Sequence, residues 1–177
     1  MKKFIINLSL IVIAIFVYIL QENFFSWFTI SGVMPNLFII YVLFIGLFAK
    51  KTMGTVYGIF IGLIIDLLVE TKIGVNAFLL GAVGFLAATF DKNFSKDSRI
   101  TIMLMVLGTT IAYETLSYFV NFAIYNFNIE IISFMRTLAI EAIYNVILTI
   151  IFYSAIKKLG YYIEEEYGKS KILTKYF

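Results

Sequence analysis

Six apolar stretches divide the chain almost completely: Phe4 to Leu20, Met34 to Ala49, Met53 to Val69, Ile73 to Phe90, Ile100 to Tyr125 and Thr137 to Ile156. Each is close to the roughly 20 residues that cross a bilayer core as a helix. Charge is correspondingly scarce, with 14 Lys plus Arg and 11 Asp plus Glu among 177 residues. So few charged side chains cannot cover a water-soluble globule of this size. A hydrophobic content of 62% and a net charge of +3 are equally far from the signature of a disordered chain. The sequence therefore predicts an all-α integral membrane protein, a six-helix transmembrane bundle. Residues 1–156 form one membrane domain, and 157–177 form a short cytoplasmic juxtamembrane tail. Cys and His are both absent, which removes disulfides, thiolate nucleophiles and imidazole bases.

The cations set the orientation. If the six segments alternate sides, Lys2, Lys3, Lys50, Lys51, Lys92, Lys96, Arg99, Lys157, Lys158, Lys169, Lys171 and Lys175 share one side, and only Lys72 and Arg136 fall on the other. Positive charge stays in the cytoplasm, so both termini are predicted to lie there. The first stretch also has the charged start and apolar body of a signal peptide, but Tyr18 to Glu22 offers no small-residue cleavage site. It reads as a retained helix. Trp27 with Phe24, Phe25 and Phe28 reads as an outer aromatic belt, and Tyr161 and Tyr162 as inner interfacial residues.

Three carboxylates fall within the spans: Asp66, Glu114 and Glu141. A charged group at a helix centre costs about 2.5 to 3.5 kcal/mol on insertion scales, so each should face the bundle or a wet cavity. All three map to the outer half. Asn145 follows Glu141 by one turn and Tyr118 follows Glu114 by one turn, which places each pair on one helix face. Two readings stand. The acids line an outward-facing pocket or a docking seam for another protein's helix, or they are protonated or paired internally, with Arg136 or Lys72 as partner. The third span carries Gly54, Gly58 and Gly62 at four-residue spacing ahead of Asp66, a surface for close helix approach within the chain or between subunits. Gly81 and Gly84 in the fourth span favour its packing on the third. Pro35 opens the second span, where its missing N–H has no intrahelical partner to lose. The tail mixes Lys157 and Lys158 with Glu164 to Glu166 and reads as an interfacial anchor on the lipid bilayer.

The segment Gly32 to Ile40, with Pro35-Asn36 at the entry to the second helix, and then Gly54 to Gly62 and Gly62-Leu-Ile-Ile-Asp66-Leu-Leu, resembles the rod shape-determining protein MreD family. Gly74 followed by Asn76-Ala77 is similar as well. The likeness runs from the first span through the fourth, whereas the fifth and sixth match only in hydrophobic pattern. Asn36 stands where an acid is often found. The resemblance implies a non-enzymatic scaffold of the cell-elongation complex, multi-pass in the bacterial cytoplasmic membrane. It would associate with an MreC-like single-span protein and link MreB filaments and peptidoglycan synthases, directly or indirectly. It also implies a fold similar to the substrate-binding component of energy-coupling-factor transporters. The alternative function is thus a solute-binding transport subunit, although bulky Tyr18 four residues after Ala14 lacks the small-residue pair of such subunits. A lipid-modifying enzyme using the acids ranks last, since no nucleophile, metal-ligand set or phosphate clamp accompanies them. No cofactor, metal or nucleic acid is expected; self-association is left open.

Overall fold

A computed structural model describes residues 2–49, 51–68, 73–93, 98–125 and 130–168. These residues form six α-helices: α1 (Lys2–Ile19), α2 (Leu37–Phe48), α3 (Lys51–Leu68), α4 (Val75–Asn93), α5 (Arg99–Tyr125) and α6 (Ile131–Gly168). There is no β-strand among the described residues. Past Ile19 the first helix continues as a π turn over Leu20–Phe24 and a 3-10 turn over Phe25–Trp27. The connection to α2 closes a tight turn in which Ile30 and Val33 exchange both backbone hydrogen bonds. Positive φ at Ser31 (54°) and Gly32 (80°) gives this turn the primed geometry that favours glycine at its second position.

Among the described residues, three helical stretches are long and apolar enough to cross a membrane: Lys2–Trp27, Arg99–Ile124 and Ile131–Tyr167. The other three helices are apolar but shorter. At 12 residues, α2 extends only about 18 Å at 1.5 Å per residue, against a hydrocarbon core of roughly 30 Å. It starts at Leu37 rather than Met34 because Asn36 takes the N-cap, in extended conformation, and its Oδ1 accepts from the Ile39 N–H at 3.3 Å. Pro35 therefore precedes the cap instead of occupying the first helical turn.

This short helix is the core. Every residue of α2 except Tyr41 is buried, which is why its sequence is apolar all round. Ile39, Val42, Leu43 and Leu47 pack with Leu79, Leu80 and Val83 of α4 and Ile102 and Val106 of α5. The closest helix pair is α3 with α4. A Cβ added at Gly58 would fall on the Leu80 carbonyl, one at Gly62 on the Ala77 backbone, and one at Gly84 on the Gly54 carbonyl. Gly54 also meets the Gly46 Cα of α2, 2.5 Å from where its own Cβ would stand. The glycine row thus lets three backbones approach one another inside the chain.

At its far end α6 continues without a break through 157–168, a region read from sequence as a separate tail. Ile163 and Tyr167 explain the continuation, since both bury against Ile6, Leu10 and Ile45. Lys2 Nζ reaches Glu166 Oε1 at 3.3 Å, and the Tyr167 hydroxyl donates to Asn7 Oδ1 at 2.6 Å. Between its tethered ends α1 packs loosely. Apolar cavities of about 190 Å³ and 230 Å³ lie on its two sides, toward α6 and toward α3. Trp27, Phe24 and Phe28 are exposed, whereas Phe25 turns inward against the Tyr144 ring, 6.4 Å away.

Candidate functional site at two capped helix starts

The first N–H groups of a helix have no partner within it, and in an apolar environment each one left bare costs several kcal/mol. Both α2 and α4 begin inside the bundle, and side chains from other helices satisfy these groups. At the start of α2, Gln21 is 5% exposed, and its Oε1 accepts from the Leu37 N–H at 3.0 Å while its Nε2 donates to the Pro35 carbonyl at 2.7 Å. The Asn36 N–H donates to Asn145 Oδ1 at 2.8 Å, and Asn145 Nδ2 donates to Thr110 Oγ1 at 3.0 Å. One helix start is thereby held by the end of α1, by α6 and, through Asn145, by α5.

Asp66 serves the start of α4. Its side chain is fully buried; Oδ2 accepts from the N–H groups of Gly74 (2.8 Å) and Ala77 (3.2 Å), and Oδ1 from Asn76 (3.0 Å). A carboxylate at a helix N-terminus also meets the positive end of the helix dipole. Gly74 at φ 100° supplies the turn that aims these groups back at α3. The Tyr113 hydroxyl then donates to Asn76 Oδ1 at 2.5 Å. Thr110 and Tyr113 stand three residues apart on α5, so one face of that helix joins the two capped starts into a single polar seam.

Glu114 and Glu141 extend the seam toward the end of the bundle that carries the Ile30–Val33 turn. Their carboxyl groups adjoin across the α5–α6 interface. Glu141 Oε1 and the Tyr118 hydroxyl are buried without a hydrogen-bond partner. Arg136 does not pair with either acid; its Nη2 donates to the Ser31 carbonyl at 2.7 Å. Beside it, the Tyr144 hydroxyl donates to the Phe28 carbonyl at 2.7 Å, so α6 holds the whole connection before α2. Lys72, the other cation considered as a partner, lies outside the described residues, as does the chain from 169 onward.

The structure thus brings Asp66 to the start of α4 and Asn36, Pro35 and Asn145 to the start of α2, puts Glu114 and Glu141 beside them, and places Gly54, Gly58 and Gly62 within the α3 contact with α4. Sequence reasoning met Asn76 only through the family resemblance and missed Gln21, Thr110 and Tyr113. A signal for the last two existed, since Thr110, Tyr113, Glu114, Ser117, Tyr118 and Asn121 recur at three- and four-residue spacing along one helix face.

A short helix buried at every residue but Tyr41, long apolar helices around it and polar side chains devoted to capping helix starts define a small helical membrane protein. Its family follows from a wider comparison: the model of the rod shape-determining protein MreD matches residues 2–161, and the chain belongs to that family. No match was found among curated proteins or among solved structures. Membership assigns the protein a role in rod-shape determination.

Proposed function

We propose that the protein is a non-enzymatic membrane scaffold of the cell-elongation complex. It lies multi-pass in the cytoplasmic membrane with both termini inside and holds an MreC-like single-span partner. Through that partner it couples MreB filaments to peptidoglycan synthesis. The observation that carries this reading is the family match over 2–161. The placement of cations supports the orientation: Arg99 and Lys157 both lie over the Tyr153 ring, and Lys2 and Lys3 meet Glu166 and Tyr167 at the end of the bundle remote from the Ile30–Val33 turn. Copurification in mild detergent tests the scaffold. A co-expressed MreC-like partner should elute with the chain at constant ratio, and a chain that elutes alone would refute the proposal.

A further inference from the structure

The seam ends in a constellation that capping does not use. On α5, Glu114, Ser117, Tyr118 and Asn121 follow one another along a single face. Across from them on α6, Phe134 and Glu141 stand seven residues apart, on the same side of that helix. Glu141 is 6% exposed, and its Oε1 has no hydrogen-bond partner. The buried Tyr118 hydroxyl likewise has none. Tyr118, one helical turn beyond Glu114, and Phe134 of α6 hold their rings 4.5 Å apart at 35°. Arg136, the described cation nearest Glu141 in sequence, is turned away to Ser31.

We propose that the Glu114, Glu141, Tyr118 and Phe134 cluster is a binding site for an organic cation, an alkylammonium or guanidinium group. Three features select this chemistry. Glu114 and Glu141 are in hydrogen-bond contact, so the pair holds a proton between its carboxyl groups and carries at most one negative charge, which a single cation offsets in apolar surroundings. With that one charge on Glu141, its unpartnered Oε1 is an acceptor, and an occupant there donates a hydrogen bond to it. The aromatic pair one turn along α5 makes the surroundings of the acids apolar, which favours an organic cation over a hydrated metal ion. Among the described residues no group of three or more His, Cys, Asp or Glu could hold a metal.

The test uses the full chain, purified in detergent and followed by thermal unfolding with n-butylammonium chloride against sodium chloride at equal ionic strength. Saturating butylammonium should raise the midpoint by roughly 3 to 6 °C over sodium. The shift should vanish in Glu141→Gln and shrink in Tyr118→Leu, a second variant that keeps both acids. Nanodiscs identify the source of the cation. A Glu141-dependent gain from phosphatidylethanolamine over phosphatidylcholine supports the site and assigns it to a lipid amine. A Glu141-dependent butylammonium response in phosphatidylcholine alone supports it with a cation carried by another molecule. No preference over sodium in either setting, or equal shifts in wild type and both variants, would overturn the proposal.

Discussion

Asp66 shows how much one side chain can carry in this protein. It was legible as a buried acid, but not as the cap of a helix that begins eight or more residues later, because sequence spacing does not say which backbone groups will lack partners. Asp66→Ala strips three N–H groups of their acceptor. Each buried donor left bare costs about 1 to 3 kcal/mol. Thermal unfolding in detergent should therefore show a fall of at least ~6 °C, with Asp66→Asn recovering part of it through its remaining oxygen. Gln21 was overlooked altogether, because a lone polar residue at the end of an apolar run reads as a helix terminus. Its two hydrogen bonds to the Pro35 and Leu37 backbone fix the entry to α2. Gln21→Leu should lower the unfolding midpoint by about 2 to 6 °C, and combined with Asn145→Ala it should cost less than the sum of the two, since both serve the same helix start. Strict additivity in that double-mutant cycle would show that the two caps act independently.

At the scale of elements, the glycine row and the short second helix explain one another. A buried helix surrounded by neighbours leaves no room for thick interfaces, and the α3 contact with α4 is thinned to backbone on backbone at Gly54, Gly58, Gly62 and Gly84. The spacing was plain in the sequence; which surface it would meet was not, since the same pattern serves contacts between chains. Gly58→Leu places a side chain on the Leu80 carbonyl, where no rotamer of a flexible neighbour can yield. It should destabilise by more than the ~3 kcal/mol typical of overpacking, visible as loss of the monodisperse peak in size-exclusion chromatography. Gly108→Ala is the control. This helical glycine of α5 has nothing within 4 Å of an added Cβ, so alanine should leave the midpoint unchanged or raise it slightly through its higher helix propensity. The length of α2 was misjudged for a local reason: hydropathy counts Met34 into the apolar run, whereas the Asn36 cap starts the helix three residues later.

For the whole molecule, the absence of cysteine from the sequence makes topology directly measurable. Ser26 and Lys158 are both exposed, toward opposite ends of the bundle. Under the proposed orientation, Ser26→Cys in intact cells should react with a membrane-impermeant maleimide, and Lys158→Cys should react only after permeabilisation. The reverse pattern would invert the protein. Sequence by itself determined the solvent, the helical class and the positions of the polar groups that cannot face lipid. Those follow from composition and period, which are properties of a chain read in one dimension. Only the tertiary structure decided what the polar groups do. Asp66 and Asn145 became caps because two helices start inside the bundle, and Glu114 met Glu141 because α5 and α6 pack antiparallel. Hydrogen-bond partners are set by which backbone ends are buried, and that is known only when the helices have been assembled.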